Sequence, residues 1–291
     1  MRISKIGVVG CGSVAQGIAQ NVADSKLEVI LLDEEEGWLQ KARAGIELSL
    51  DYEISRWGLT PGDKKSILKR IGLTTDIQKL HSVQILIEAK GRNLDEKIGI
   101  FKKIEPVCAE STVFMTNVTT ISVTEIQKKL KQSDRLIGLH FILPVHKSII
   151  VELIKGAQTS EQVVHTTKLV METLGKRCIE VSEYPGFVVS RIILPMINTA
   201  AQVLMEGLAS AEDIDDAIHL GYNLTVGPLE MADQIGIDVV LEYLDSIFKD
   251  LGDPSYRPCP LIRKMVREGK LGQKAGAGFF TYDASMRRVR N

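Results

Sequence analysis

The chain has 291 residues, room for about two domains with a core each. Its 36 basic and 37 acidic residues leave a net charge of −1, which argues against a nucleic-acid or anionic-membrane footprint. No apolar run approaches the ~18 residues of a membrane span, no room for a signal peptide precedes the first motif, and Cys11, Cys108, Cys178 and Cys259 form no C-x-x-C pair. A soluble cytoplasmic protein with no metal site and no disulfide framework is the expectation.

Residues 6–19 read IGVVGCGSVAQGIA. Ile6, Val8 and Val9 belong to a short β-branched apolar run, the composition of a buried strand. Gly10, Gly12 and Ala15 then fill the G-x-G-x-x-G/A places, and Ile18 and Ala19 open the apolar face of a helix. In such a turn the backbone around Gly10, Gly12, Ser13, Val14 and Ala15 approaches a pyrophosphate, and the free N–H groups of the first helical turn face it.

A glycine turn alone is weak, since any tight strand-to-helix turn selects glycine. The second half of the signature is present. Residues 27–32 (LEVILL) read as the next strand and end at Asp33, 21 residues past Gly12, close to the ~20 expected of a ribose-binding acid. Glu34, Glu35 and Glu36 follow, with no basic residue before Lys41, so NAD is expected over NADP.

Residues 35–57 carry Trp38, Ala42, Ile46, Leu50 and Ile54 at steps of four, an apolar stripe on a long helix. Gly58 stops it, and Thr60-Pro61 restarts a second helix through Lys69. The pair, 35–70, is expected to project from the sheet as a helical arm. Residues 83–88 (VQILIE) form another buried strand, followed by a helix from Asn93 to Ile104. The strand at 112–115 ends in the polar run Thr116-Asn117-Val118-Thr119-Thr120.

Residues 135–140 (RLIGLH) and 149–154 (IIVELI) read as strands on either side of a return. His140 and Glu152 lie symmetrically about position 146, so a chain doubling back there brings them face to face. A carboxylate facing an imidazole fixes its tautomer and stabilises the imidazolium, which makes His140 a candidate general base. His81, His146, His165 and His219 show no comparable partner and read as surface or packing residues. After a helix at 160–174 and a strand at 177–181, Pro185-Gly186 marks the expected boundary between domains 1–184 and 185–291. The remainder reads as helical, with segments at 187–204 (containing Pro195), 211–220 and 237–250, and a glycine-rich end.

With these elements in place the chain resembles the 3-hydroxyacyl-CoA dehydrogenase family over nearly its whole length. The motifs are the Gly10 turn, IEA at 87–89 followed by Asn93, GLHF at 138–141 with Pro144 and VE at 151–152, PGF at 185–187, and K-x-G-x-G-F-F from Lys274. The resemblance implies a Rossmann-like α/β NAD domain followed by an all-α domain that forms a homodimer. It implies that His140 takes the 3-hydroxyl proton of an acyl thioester while hydride passes to NAD, with Glu152 orienting it. Thr119 matches an active-site serine and Ser190 a residue facing the acyl group. Asp33, Glu88, Asn93, Thr119 and Lys274 match cofactor contacts, and Ser49 and Arg56 match positions touching CoA.

Two residues depart from the pattern: Leu143 and Ser190 each stand where the family has an asparagine. The arm also offers a CoA 3′-phosphate little beyond Arg56. Relatives acting on carrier-protein-bound hydroxyacyl groups in polyketide extender-unit synthesis are therefore an alternative reading. The rivals are a β-hydroxyacid dehydrogenase of the type that uses a lysine base on the first long helix of its second domain, against which residues 186–206 contain no lysine, and a non-catalytic NAD-binding sensor or structural protein.

Overall fold

A computed structural model describes residues 3–283 and 286–289. The chain divides into two compact units, Met1–Glu183 and Tyr184–Asn291.

The first unit is built on an eight-stranded sheet. Strands β1 (Lys5–Val9), β2 (Glu28–Leu32), β3 (Ile71–Thr74), β4 (Ile85–Glu88), β5 (Val113–Asn117), β6 (Leu136–Phe141), β7 (Ile150–Ile154) and β8 (Arg177–Val181) lie in the order β3-β2-β1-β4-β5-β6-β7-β8. Neighbours are parallel except β6 and β7, which run antiparallel. The order places β2 and β4 on opposite sides of β1, so the chain reverses direction across the sheet there. The crevice at the carboxyl ends beside such a reversal is where open α/β sheets bind ligands.

Helices α1 (Ser13–Asp24), α2 (Glu36–Ser55), α3 (Pro61–Lys69), α4 (Leu94–Ile104), α5 (Val123–Gln127) and α6 (Glu161–Thr173) complete the unit. Parallel strands need helices over them, and Ile6, Val8, Leu31, Ile87 and Met115 are buried under α1 and its neighbours in one continuous core. Thr60 and Asp63 form a reciprocal capping box at the start of α3, with Pro61 in the first turn as its fixed φ allows.

Leu39, Ala42, Ile46 and Leu50 of α2 and Ile67 of α3 are buried in the same core, and both helices pack against α1 and β3. Trp38 is half exposed with the Lys41 ammonium 4.7 Å from its ring, so the buried stripe starts at Leu39. β3, a four-residue strand absent from the expected elements, extends the sheet beside β2 and is touched by both helices. Outermost is the connection between the helices, where Trp57 is 95% exposed.

In the second unit the helices are α7 (Val189–Met205), α8 (Ala211–Tyr222), α9 (Pro228–Ile235), α10 (Ile237–Leu251) and α11 (Pro260–Arg267). Pro195 lies inside α7. The short helices α9 and α11 were not among the expected elements, although each carries proline at its first position. Leu194, Ile197, Leu229, Val240, Leu244 and Ile262 lie in a separate core, while Ile192, Leu208, Leu220 and Tyr222 remain exposed. Among the described residues no helix is long and apolar enough to cross a membrane.

Candidate active site and cofactor cradle

The glycine turn follows β1 directly. Gly10 has φ +115°, and a Cβ there would come within 2.8 Å of the Ala89 carbonyl oxygen, so only glycine fits between β1 and β4 without strain. Gly12 is the N-cap of α1 and no side chain caps the helix. Nothing stands within 4 Å of the place its Cβ would take. The first N–H groups of α1 therefore face open space at a positive dipole end, which fits a pyrophosphate. Ser13 is exposed, Val14 is partly buried, and Ala15 is buried in the core where the helix meets the sheet.

Asp33 leaves β2 largely buried. Its Oδ1 accepts from the Glu34 backbone N–H at 2.7 Å and from the Lys90 ammonium at 2.8 Å. Lys90 is the second residue past β4, and it also reaches Glu34 Oε2 at 3.1 Å, while Lys103 takes Glu34 Oε1 at 2.9 Å. Burial works against the Lys90 charge, yet the bonds to Asp33 and Glu34 outweigh it and hold the group above the ordinary lysine range. Burial and the neighbouring Asp33 carboxylate push the Cys11 thiol up to about 12, so it stays protonated and unreactive. Lys90 was missed by reading only the residues that follow Asp33. The strand order brings it there, since β4 is the other neighbour of β1.

Glu88, matched by the resemblance to a cofactor contact, is 0% exposed. Its Oε1 accepts from the backbone N–H groups of Lys90 and Gly91, and its Oε2 from Lys97 Nζ and Thr116 Oγ1 at 2.6 Å each. Both oxygens are thus engaged inside the protein, where Glu88 holds the start of the 89–93 loop. Asn93 closes that loop as N-cap of α4, accepting from the Glu96 N–H at 2.9 Å.

At the other end of the same carboxyl edge, His140 and Glu152 are paired in register across β6 and β7. His140 Nδ1 stands 2.5 Å from Glu152 Oε2, and both side chains are buried. The shared register follows from the symmetry of the two residues about position 146. Val118 N–H donates to the Leu139 carbonyl at 2.9 Å, so Thr119, also buried, leaves β5 beside the strand that carries His140.

His146 departs from its expected isolation. It lies 3.7 Å from Glu53 of α2, and burial pushes its pKa below the ordinary value in spite of that carboxylate. Lys147 stands 2.9 Å from the same Glu53 and 4.9 Å from the centre of the Tyr52 ring, over which Arg56 also lies at 5.8 Å. The end of α2 thus gathers two cations, Arg56 and Lys147, around one tyrosine. Ser49 is half-buried one turn before.

The second unit holds the remaining two candidates. Ser190 is buried in the first turn of α7. Lys274 is half exposed and pairs with Asp238 at 2.6 Å. The glycine-rich segment around it is anchored by Asp233, which accepts from the N–H groups of Phe279 and Phe280 and from the Tyr282 hydroxyl. Burial pushes the Asp233 carboxyl up to about 6 despite these donors. Among the described residues no cluster of three or more His, Cys, Asp or Glu side chains is arranged to hold a metal ion.

Comparison with known proteins covers both units. Residues 5–184 match the family model described as 3-hydroxyacyl-CoA dehydrogenase, NAD binding domain, and residues 186–282 match that of the C-terminal domain. A probable 3-hydroxybutyryl-CoA dehydrogenase of Bacillus subtilis is 36% identical over 283 residues, 97% of this chain and 99% of the relative. The crystal structure of (S)-3-hydroxybutyryl-CoA dehydrogenase from Ralstonia eutropha superposes with a TM-score of 0.84 at 41% identity, covering 97% of this chain and all of that one. FadB2 of Mycobacterium tuberculosis does so with a TM-score of 0.91 at 32% identity, over 97% and 100% of the two chains.

Proposed function

We propose that this chain, which belongs to the 3-hydroxyacyl-CoA dehydrogenase family, oxidises the 3-hydroxyl of a short 3-hydroxyacyl-CoA to the 3-oxo group, and runs the reverse reaction with NADH. It is an NAD-dependent oxidoreductase with NAD as its cofactor. The relatives in B. subtilis and R. eutropha are named for a four-carbon acyl group, so that is the first substrate to test.

The observation that carries the reading is the in-register pair of His140 and Glu152 on the sheet whose carboxyl edge also carries the glycine turn. Glu152 accepts the Nδ1 proton and thereby selects the tautomer whose Nε2 takes a proton. His140 then acts as general base toward the 3-hydroxyl, and Glu152 stabilises the imidazolium that results. The nicotinamide, when bound, supplies the hydride acceptor. Thr119 keeps a hydroxyl at the family's serine position and donates or accepts one hydrogen bond. Ser190 and Lys274 enter through their motif matches.

CoA is favoured over a carrier protein by the cations at the end of α2. Lys147 adds to Arg56 a second positive group on the Tyr52 ring, which the sequence alone did not place there. Such a pair suits the phosphates of a CoA. The apolar surface of Ile192, Leu208, Leu220 and Tyr222 suits a homodimer formed through the second unit.

The test is NADH consumption with acetoacetyl-CoA, with acetoacetyl carrier protein, and with an acetoacetyl thioester of N-acetylcysteamine, which lacks the nucleotide. Turnover of acetoacetyl-CoA that His140→Ala abolishes, with a KM raised by Arg56→Ala and Lys147→Ala for CoA only, is the expected result. Turnover confined to the carrier-protein substrate overturns the CoA assignment. NADH binding without turnover of any of the three overturns the catalytic one.

A further inference from the structure

The acid that receives the ribose of NAD is not left as a bare carboxylate. Lys90 Nζ sits 2.8 Å from Asp33 Oδ1 and 3.1 Å from Glu34 Oε2, and Lys103 pairs with Glu34 as well. An acid at this place ordinarily discriminates against NADP by repelling the 2′-phosphate, while a basic side chain beside it accommodates one. This chain carries both.

The geometry puts the ammonium within reach. A ribose 2′-hydroxyl donating to Asp33 stands about 2.7 Å from a carboxylate oxygen. If that oxygen is Oδ1, a group 2.8 Å from it lies at most about 5.5 Å from the 2′-oxygen. A phosphate on that oxygen extends further and closes the gap. Lys90 is about a third exposed, on a four-carbon stem that can rotate its ammonium from one anion to another. The loop itself is held by Glu88 through the backbone N–H groups of Lys90 and Gly91, so the Lys90 side chain, bonded to Asp33 and Glu34, is not what fixes the loop.

We propose that Lys90 forms a 2′-phosphate subsite beside Asp33, so that the enzyme accepts NADP(H) as well as NAD(H), the ammonium passing from Asp33 to the phosphate when the phosphorylated cofactor binds. The inference rests on the dinucleotide site at Gly10 to Asp33 and is independent of the acyl substrate.

It is tested by calorimetric titration with 5′-ADP and with adenosine 2′,5′-bisphosphate, and by the kcat/KM ratio for NADH over NADPH, in the native enzyme, Lys90→Met and Lys90→Arg. Lys90→Met is expected to worsen the bisphosphate relative to 5′-ADP by about ten- to hundredfold, the range of a hydrogen bond between charged groups. The NADH:NADPH ratio should rise by the same factor, and Lys90→Arg should restore most of both. An equal change for both nucleotides in Lys90→Met would mean that Lys90 only holds Asp33 in place, and overturns the proposal. So does native enzyme that binds 5′-ADP but not the bisphosphate. Failure to bind either nucleotide removes the dinucleotide site itself, and the proposal with it.

Discussion

Lys97 Nζ lies 2.6 Å from Glu88 Oε2, and with exposures of 2% and 0% neither side chain reaches water. Removing one member of such a pair strands the other charge in the interior, at a cost of about 3–5 kcal/mol, whereas removing both is far cheaper. Lys97→Met should therefore lower the unfolding free energy in urea by about 3 kcal/mol, and adding Glu88→Gln should recover a substantial part. If the double variant is no more stable than the single one, the coupling between the two groups is not electrostatic.

If His140 is the base that Glu152 orients, changes to the pair should affect chemistry and not cofactor binding. Glu152→Gln keeps the shape but replaces an acceptor of the imidazole proton with an amide that does not stabilise the imidazolium. It should lower kcat by about 10²-fold or more while the NADH dissociation constant, read from fluorescence quenching, changes little. Comparable losses in both would assign Glu152 to holding β6 and β7 together instead.

What was readable in the chain divides along a physical line. The glycine turn, the Thr60-Pro61 helix start and the His140–Glu152 register depend on residues close in sequence or on one hairpin-like return, and local chemistry suffices for them. Lys90 beside Asp33, His146 and Lys147 beside Glu53, and the burial of α2 over β3 depend on strand order and loop path. β3 itself is four residues, IGLT, whose glycine is exposed, too short for a period-two pattern to declare itself. Glu88 shows the other difficulty: an acid at a strand end reads equally as a ligand contact or as the anchor of a loop, and only its four donors decide.

Lys176 is buried and donates to the carbonyls of Val145 and Ser148 at 2.6 Å each, tying down the connection between β6 and β7. Burial brings its pKa from 10.5 down to about 8. The folded chain then binds this proton less tightly than the unfolded one, so between those two values the unfolded state holds more protons and stability rises with pH. Relative to Lys176→Met, the native chain should gain up to about 1 kcal/mol per pH unit between pH 8 and 10 in urea unfolding. A parallel pH dependence in the two proteins would show that Lys176 keeps an ordinary pKa.

Gly10 and Gly12 are close in sequence yet answer to different constraints, and alanine at each should fail differently. At Gly10 the backbone φ of +115° and the Ala89 carbonyl at 2.8 Å both oppose a Cβ, so Gly10→Ala should cost about 1–3 kcal/mol of stability with no cofactor present. Gly12 has φ −68° and open space where a Cβ would go, so Gly12→Ala should fold with a thermal midpoint near that of the native chain. Its methyl group enters the space a pyrophosphate needs, and the NADH dissociation constant should rise by about tenfold or more, some 1.4 kcal/mol. Gly12→Ala that binds NADH normally would place the phosphates elsewhere than over the first turn of α1. Gly12→Ala that unfolds as readily as Gly10→Ala would mean that the open space in front of α1 is taken by the protein itself.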